Sequence, residues 1–306
     1  MSYDIISFGA ATVDIFVKSD QLISTPDLVG LTPSSKNEIS SSLITSGGGA
    51  TNSSVSFSRL GLKAGCVALL GREPISNYVI SDLQDNHVTT SLLSRSVKES
   101  TDFSVILVSP DGGRSVLTQR GHTRLEDSHL HWDRLKSGWF YITSLEGNYN
   151  LLEQLIGFAH ENKIKISLNP GRRELQHPRR LISLLPRLDF LLLNKTESQE
   201  LTGLDATDSR FWTRLSTIGP KIIAVTYGRQ GAYIITSTEK LYSPIINTTP
   251  VDETGAGDSF GSAFVAALFH GLSLSDSLSW GIKNSASVVS ALGAKPGLLT
   301  LNQIHI

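Results

Sequence analysis

The sequence has a single cysteine, Cys66, among its 306 residues. A disulfide within the chain needs a second cysteine and a thiolate metal cluster needs several, so the composition excludes both. The eight histidines show no His-Glu-x-x-His pattern or other spacing typical of a metal site. The sequence therefore gives no sign of a metal site built from cysteine or histidine.

The net charge is also small, and long apolar runs are missing from the sequence. The formal net charge is −1, so no basic surface favours a nucleic acid and no polybasic segment favours a membrane. No uninterrupted apolar run approaches the length that spans a bilayer. The first residues contain two aspartates instead of the basic start of a signal peptide. We therefore expect a cytoplasmic protein with neither a nucleic-acid nor a membrane partner.

Short apolar runs rich in β-branched residues alternate with helical patterns through most of the chain. Several runs are apolar on both faces, as is typical of parallel strands covered by helices on both sides. This alternation predicts an α/β fold with a mostly parallel sheet. The predicted strands are Tyr3–Phe8, Lys63–Leu70, Trp139–Thr143, Lys163–Leu168, Leu188–Leu193, Lys221–Thr226 and Ala232–Thr236. The predicted helices are Ala50–Leu60, Ser76–Asn86, Asn150–Glu161, Thr196–Thr202, Asp208–Ile218, a helix following Asp258, and Asp276–Leu292 with Ser275 as its N-cap.

Two regions break this alternation, because strand patterns follow one another without a helix between them. The strand-like segments cover about 12–18, 37–46 and 101–120, and the turn Ser109–Gly113 predicts a hairpin inside the last one. We expect these segments to form a small antiparallel lid over the ligand-binding edge of the main sheet. The alternative is separate surface hairpins. Exposed strand edges favour pairing, so a homodimer through the lid is a further expectation.

The most informative motif is Asp-Glu-Thr-Gly-Ala-Gly-Asp at 252–258, which precedes a predicted helix. The glycines leave the backbone N–H groups of Gly255, Ala256 and Gly257 uncovered, and a helix N-terminus attracts anions. Asp258 enters this anion nest, where a carboxylate is unusual unless it accepts a proton. Phosphoryl transfer combines these two needs. The alternative is a glycine turn before an ordinary helix.

A second glycine-rich segment runs from Gly47 to Asn52 between a lid strand and a helix. Its bare backbone at Gly47 and Gly48 suits the close approach of a polar ligand such as a sugar, and Asn52 offers a donor and an acceptor for neighbouring hydroxyls. A hinge between lid and core is the alternative. Asp14, in the first lid strand, is a candidate for binding two hydroxyls, although a solvated aspartate fits nearly as well.

Two more turns follow buried strands. Asn194 and Glu197 have the spacing of a capping box, and the same pair suits the water ligands of a Mg²⁺ ion carried in with ATP. The turn 226–231 contains Thr226, Gly228 and Gly231, and its bare backbone is a candidate contact for nucleotide phosphates.

These pieces, in this order, resemble the ribokinase-like (PfkB) carbohydrate kinase family over essentially the whole chain. The first family signature is matched by Gly47, Gly48, Ala50, Asn52, Ser54, Gly61 and Gly71. The second is matched by Asp252, Gly255, Ala256, Gly257, Asp258, Ser262 and Ala263. The resemblance implies a single domain over 1–306, with a Rossmann-like sheet, helices on both faces and a small β-sheet lid.

The resemblance also implies roles for particular residues. Asp258 is the catalytic base and the 255–257 amides form the anion hole. The remaining implied contacts are Asn194 and Glu197 for Mg²⁺, Thr226 and Gly228 for the ATP phosphates, Asn284 for the adenine, Asn169 for the substrate and Asp252 for a monovalent cation such as K⁺.

The chain also departs from the family pattern. Glu253 stands where relatives have a small residue, which weakens the monovalent-cation site. Asn169 and Arg172 lack the aspartate that precedes them in many sugar kinases.

The sequence therefore predicts an ATP-dependent kinase that phosphorylates a hydroxyl of a sugar or nucleoside. The acceptor stays open between ribose, fructose, a deoxy-gluconate and a nucleoside, because selectivity depends on lid and loop residues. These are Asp14, 40–44, Phe103 and His122. A non-catalytic sugar or nucleotide sensor on the same scaffold is the first alternative. A dinucleotide-dependent oxidoreductase is disfavoured because the glycine fingerprint after the first strand is missing.

Overall fold

The computed structural model describes residues 2–25, 27–111, 113–119 and 124–305. His122, expected near the acceptor, lies outside these ranges, as does position 120 at the end of the predicted lid segment. No helix within the described ranges has both the length and the apolar character needed to cross a bilayer.

The described chain contains sixteen strands and ten α-helices. The strands are β1 (Tyr3–Phe8), β2 (Thr12–Lys18), β3 (Ile23–Thr25), β4 (Leu28–Gly30), β5 (Ser41–Gly47), β6 (Ala64–Val67), β7 (Leu69–Leu70), β8 (Ser94–Arg95), β9 (Asp102–Val108), β10 (Arg114–Gln119), β11 (Ser137–Ile142), β12 (Lys165–Leu168), β13 (Phe190–Asn194), β14 (Ile222–Thr226), β15 (Ala232–Ile235) and β16 (Lys240–Ser243). The helices are α1 (Gly49–Arg59), α2 (Ser76–Asp85), α3 (Tyr149–Glu161), α4 (Arg172–Leu175), α5 (Pro178–Leu184), α6 (Lys195–Thr202), α7 (Phe211–Thr217), α8 (Ala256–Phe269), α9 (Leu274–Val289) and α10 (Leu301–Ile304).

The main sheet has eight strands in the order β16-β15-β14-β13-β12-β11-β1-β6. The six strands from β14 to β6 are parallel, and β15 and β16 add an antiparallel edge. One face packs against α3 to α7, and the other packs against α1, α2, α8, α9 and α10. Burial of both faces explains why the central strands read as continuous apolar runs. The predicted fold class is confirmed.

The lid is a separate four-stranded sheet in the order β10-β9-β2-β5. The expectation of an antiparallel lid is wrong for its central pair, because β2 and β9 run parallel. Both strands begin beside the core, where Thr12 pairs with Asp102, and both lead away from it. β5 returns toward the core and is antiparallel to β2. A homodimer through this sheet stays a prediction, as does the extent of the single domain.

The polar stretch 19–36, where no strand was predicted, contains the antiparallel pair β3–β4. One predicted helix boundary also needs correction. Helix α9 begins two residues earlier than predicted, because Ser273 and not Ser275 is its N-cap. The Ser273 hydroxyl accepts a hydrogen bond from the Asp276 N–H at 3.1 Å, which satisfies one of the free donors of the first turn.

The carboxyl ends of the parallel strands carry the candidate site residues. Asn169 follows β12, while Asn194 and Thr226 end β13 and β14. Glu174, which is 2% exposed, ties two of the adjoining loops together. Its carboxylate accepts hydrogen bonds from the backbone N–H groups of Leu145, Gly147 and Gly171 at 2.8–2.9 Å. A buried carboxylate with several backbone donors therefore fixes the loop that carries Asn169.

Candidate active site

The predicted anion nest forms at the start of α8. Gly255 caps this helix in the left-handed conformation, with φ at 78°. A Cβ atom on Gly255 would lie 2.5 Å from the Cβ of Ala294, so both the backbone angle and the packing require glycine. An added Cβ on Gly257 would meet nothing within 4 Å. The first turn of the helix is therefore open at Gly257, whereas the Ala256 N–H already donates to the Glu253 backbone oxygen at 3.2 Å.

Asp258 lies in this first turn and faces α1. Its Oδ2 accepts a hydrogen bond of 2.9 Å from Nδ2 of Asn52, a residue 206 positions earlier. Burial raises the pKa of Asp258, while the bond from Asn52 and the charge of Lys295 act in the opposite direction. A carboxyl group held in this balance is suited to taking up a proton.

Asn52 is 5% exposed, and its Oδ1 has no hydrogen-bond partner among the described residues. A buried carbonyl oxygen without a donor costs free energy, so this atom favours a ligand hydroxyl or a water molecule. The amide that holds Asp258 is therefore also able to accept from a second group in the site.

Gly47 and Gly48 connect the lid strand β5 to α1. A Cβ atom on Gly47 would overlap the carboxylate of Asp14, and one on Gly48 would lie 2.5 Å from the backbone oxygen of Ala10. Asp14 is half-buried in β2, where burial raises its pKa and the neighbouring Ser104 hydroxyl acts in the opposite direction. Asp14 is therefore not the solvated aspartate that the sequence left open.

A cavity of about 200 Å³ brings together the predicted residues of the 255–258 segment, Asn169, and the Asn194, Glu197 and Thr226 side of the site. It lies between the nest and the ends of the parallel strands, where α/β proteins bind ligands. Its lining includes Asn169, Asn194, Glu197, Thr226, Glu253, Gly255, Ala256, Gly257 and Asp258.

Asn194 and Glu197 form the predicted capping box, and their contact with Mg²⁺ stays a prediction. The Asn194 side chain accepts from the Glu197 N–H at 2.9 Å, and Oε2 of Glu197 accepts from the Asn194 N–H at 2.8 Å. This capping box begins α6, and the same two side chains line the cavity opposite the nest. Burial raises the pKa of Glu197, with the Asn194 N–H opposing it. The cap therefore holds the carboxylate in place beside the cavity.

The family model for pfkB carbohydrate kinases matches residues 3–301. The chain belongs to the pfkB family of carbohydrate kinases. The predicted family resemblance is therefore confirmed over nearly the whole chain.

Individual family members share modest identity with this chain. Ribokinase from Staphylococcus aureus (strain COL) is 22% identical over 313 aligned positions, which cover 100% of this chain and 99% of that protein. The solved structure of Arabidopsis thaliana ribokinase complexed with ribose and ATP has a TM-score of 0.82, with 20% identity and coverage of 100% and 98%. The nucleoside kinase of Methanocaldococcus jannaschii has a TM-score of 0.78, with 22% identity and coverage of 100% and 98%. These structures establish the shared fold.

Asn284 is not among the residues that line the nest cavity, and its predicted contact with the adenine stays a prediction. Its side chain is fully buried in α9. Its Nδ2 donates to the Ser259 backbone oxygen at 2.9 Å and to Ser56 at 3.2 Å, and its Oδ1 accepts from the Leu299 N–H at 2.9 Å. The Nδ2 end of the amide joins α9 to α8 and α1, and the Oδ1 end joins α9 to the segment that precedes α10.

Asp252 also differs from expectation, because both of its oxygens have protein donors. Oδ1 accepts from Arg114 at 2.6 Å and from the Thr254 hydroxyl at 2.8 Å, and Oδ2 accepts from the Gly293 N–H at 2.9 Å. A guanidinium group lies where the sequence suggested a monovalent cation, and this pairing counts against such a site.

Gly228 and Gly231 are not among the residues that line the cavity. Gly231 has φ at 90°, and a Cβ atom there would overlap the backbone oxygen of Ser243. The turn between β14 and β15 is sufficient to explain this glycine. Of the residues predicted in this turn, Thr226 is the one that lines the cavity.

The sequence analysis missed a buried lysine beside the acceptor side of the site. Lys295 is 2% exposed, and its Nζ lies 2.8 Å from Oδ2 of Asp82 and donates to the hydroxyl of Ser46. Burial lowers the pKa of Lys295, and the charges of Asp82 and Asp14 oppose this shift. Lys295 is the only Lys, Arg, Asp or Glu in the sequence from 284 to 306. This isolated charge in an otherwise uncharged stretch was the one sequence feature that could have drawn attention to it.

We expect Asn284→Ala to destabilise the fold without weakening ATP binding. The substitution leaves the Leu299 N–H without its acceptor in a buried site, which costs about 1–3 kcal/mol in the free energy of unfolding. Chemical denaturation and the KM for ATP measure the two effects. Asn77→Ala, at an exposed position of α2, is the control and should change neither quantity. A large rise in the KM for ATP with unchanged stability would contradict the structural role.

Proposed function

We propose that this chain transfers the γ-phosphate of ATP to a hydroxyl group of a sugar or nucleoside, with Asp258 as the general base. Family membership indicates a carbohydrate kinase. The observation that carries the finer proposal is the placement of Asp258, hydrogen-bonded to Asn52, in the same cavity as the amides of residues 255–257. A proton acceptor and an anion nest then face one reacting group.

The reaction balances with these groups. The acceptor hydroxyl loses its proton to a carboxylate oxygen of Asp258 as its own oxygen bonds to the γ-phosphorus. The bond from that phosphorus to the β–γ bridging oxygen breaks, and ADP leaves. The N–H groups at the start of α8 stabilise the negative charge on the moving phosphoryl group.

Asn52 and Asp14 are suited to hold the acceptor. The Asn52 Oδ1, which has no partner among the described residues, would accept a hydroxyl hydrogen, while Nδ2 keeps Asp258 in position. Asp14 lies against Gly47, so a ligand is able to approach both the carboxylate and bare backbone. This arrangement favours an acceptor with neighbouring hydroxyl groups. Asn169 lines the nest cavity together with Asp258, so its predicted contact with the substrate would be made there.

The cavity also fits the Mg²⁺ ion that accompanies ATP. Glu197 and Asn194 line it opposite the nest, and Thr226 lies beside them. The described residues contain no group of three or more acidic, histidine or cysteine side chains that would hold a metal without a ligand. Mg²⁺ keeps most of its waters and is often bound by one or two carboxylates and by substrate phosphates. When bound, the ion neutralises charge on the phosphates.

The class of acceptor is proposed from the relatives. A ribokinase is known with ribose and ATP bound, and a nucleoside kinase shares the same fold. A panel of ribose, fructose, 2-keto-3-deoxygluconate and nucleosides, assayed for ADP release, tests the class. Release of ADP with none of them, together with binding of one, would favour the alternative of a sensor.

We expect Asp258→Asn to bind ATP but to lower kcat by about 10²- to 10⁴-fold, because the amide cannot accept the proton. Calorimetry with ATP and steady-state rates on the best acceptor measure the two effects. Turnover close to that of the unaltered protein would reject Asp258 as the base.

The same variant should not be less stable. Burial raises the pKa of Asp258 above its value in the unfolded chain, so stability falls as the pH rises through the folded pKa. The neutral amide of Asp258→Asn avoids the cost of burying a charge. Its Tm near neutral pH should therefore equal or exceed that of the unaltered protein, which separates lost chemistry from lost folding.

We expect Lys295→Met to move the acidic limb of the kcat/KM profile to higher pH by about half a unit or more. The charge of Lys295 lowers the pKa of Asp258, so its removal leaves less of the ionised base at a given acidic pH. Lys221→Met is a matched control. Lys221 also pairs with an aspartate, because its Nζ lies 2.7 Å from Oδ1 of Asp189, but it directly precedes β14 and therefore lies at the opposite end of the sheet from the site. An unshifted limb in Lys295→Met would contradict this coupling.

We expect the activity to be independent of K⁺. Both oxygens of Asp252 already have donors, and the guanidinium of Arg114 supplies the positive charge. Initial rates in KCl and in tetramethylammonium chloride at equal ionic strength test this point. Strong activation by K⁺ alone would show that a cation binds elsewhere or displaces Arg114.

A further inference from the structure

Arg114 links the lid to the loop that forms the anion nest. It is the first residue of β10, which is an edge strand of the lid sheet. Its NH1 lies 2.6 Å from Oδ1 of Asp252, and its NH2 donates to the backbone oxygen of Val251. Two donors of one guanidinium therefore hold two acceptors on the same short segment, which a lysine side chain cannot reproduce.

This ion pair differs from an ordinary surface salt bridge. The side chain of Asp252 is 2% exposed and that of Arg114 is 27% exposed. A pair that is largely withdrawn from water is weakly screened, and removal of one partner leaves the other charge buried. Loss of Arg114 therefore has consequences for the segment that carries Asp252.

Asp252 organises the turn that leads into the nest. Its Oδ1 accepts from both the N–H and the hydroxyl of Thr254, the residue directly before Gly255. Its Oδ2 accepts from the Gly293 N–H, next to Ala294, which packs against Gly255. The orientation of one carboxylate thus sets the path of the backbone into the amides at 255–257.

Arg114 lies beside the reacting groups and does not touch them. It lines a cavity of about 570 Å³ together with residues 250–254. Glu253 lines both this cavity and the nest cavity, so the two adjoin along the loop. Any effect of Arg114 on the reaction must therefore pass through the loop.

We propose that Arg114 is a positioning residue through which closure of the lid fixes the nest amides in their phosphate-binding arrangement. The inference rests on the proposed phosphoryl transfer at this site. When the lid lies over the core, Arg114 completes the donors around Asp252 and the turn 252–255 is held. When the lid swings away, Asp252 loses the charge that compensates its burial and the turn is less ordered. The nest is then complete only beneath a closed lid, which limits transfer of phosphate to water.

The first experiment measures turnover. We expect Arg114→Ala to lower kcat by about 10- to 100-fold, since small misplacement of a positioned group has effects of this size. Added guanidinium chloride, at concentrations that do not unfold the protein, should restore part of the lost rate, while equal NaCl should not. Arg114→Lys should retain an intermediate rate because it keeps the charge but only one directed contact. Lys18→Ala, which removes an exposed charge from the end of β2, is the control and should leave kcat unchanged.

The second experiment does not depend on activity. Hydrogen exchange of the backbone amides at 253–257 should be faster in Arg114→Ala than in the unaltered protein and in Lys18→Ala, because the loop opens more often. If the unaltered protein phosphorylates no acceptor but this difference is found, the proposed function fails and the coupling of lid and loop stands.

Two results would overturn the inference. One is a kcat for Arg114→Ala equal to that of the unaltered protein, with unchanged exchange at 253–257. The other is a lowered kcat that guanidinium does not restore, accompanied by a general loss of thermal stability, since this would indicate a purely structural role.

Discussion

The structure depends on one turn of backbone at the start of α8, where Gly255 passes beneath Ala294 in a left-handed conformation. This turn directs the free N–H groups of the helix into the cavity and places Asp258 one turn further along, opposite Asn52 of α1. Asn52 and Asp258 are 206 residues apart, so their contact requires α1 and α8 to share one face of the sheet. The nest and the carboxylate are useful to phosphoryl transfer only because they are held together. A change in the turn alters both.

The second organising feature is the distribution of buried charge. Asp14, Asp258 and Asp82 lie on the acceptor side, and Lys295 is the buried cation whose charge acts on all three. On the nest side, Asp252 is compensated by Arg114 and by backbone donors. Burial raises the pKa of Asp14 and Asp258, whereas hydrogen bonds from Gly293 and Thr254 with the charge of Arg114 overcome burial and hold the pKa of Asp252 below its usual range. Asp258, the base in our proposal, is therefore more basic than Asp252, which shapes the loop. The difference arises because Asp252 has more hydrogen-bond donors and a cationic partner.

The lid is joined to the core at both of its edges. β5 runs into α1 through Gly47 and Gly48, and Ser46 at its end contacts Lys295 and Asp82. At the opposite edge, Arg114 of β10 contacts the nest loop. The loop that contains Gly293 and Lys295 touches both connections, since Gly293 holds Asp252 and Lys295 holds Ser46. Closure of the lid over an acceptor would therefore affect Asp258 through the contacts of Lys295 and would affect the nest loop through the contacts of Arg114.

Local sequence was sufficient for the alternation of strands and helices, the bounds of β1 and β2, and the glycine-rich turns, because apolar periodicity and glycine act on neighbouring residues. The chemistry of the residues within their motifs, and not periodicity, suggested the roles of Asp258, Glu197 and Asn52, and the family resemblance agreed for Asp258 and Glu197. The parallel pairing of β2 with β9, the withdrawal of Asn284 into the core, and the pairing of Asp252 with Arg114 were decided only by the tertiary structure. Each depends on which distant segments meet, and a lone lysine such as Lys295 or an arginine in a lid strand carries no local pattern that names its partner. The sequence by itself determined the family and the local conformation of the nest. The packing of the lid, the nest loop and the C-terminal loop determined which charges face one another, because electrostatic pairing acts through space and not along the chain.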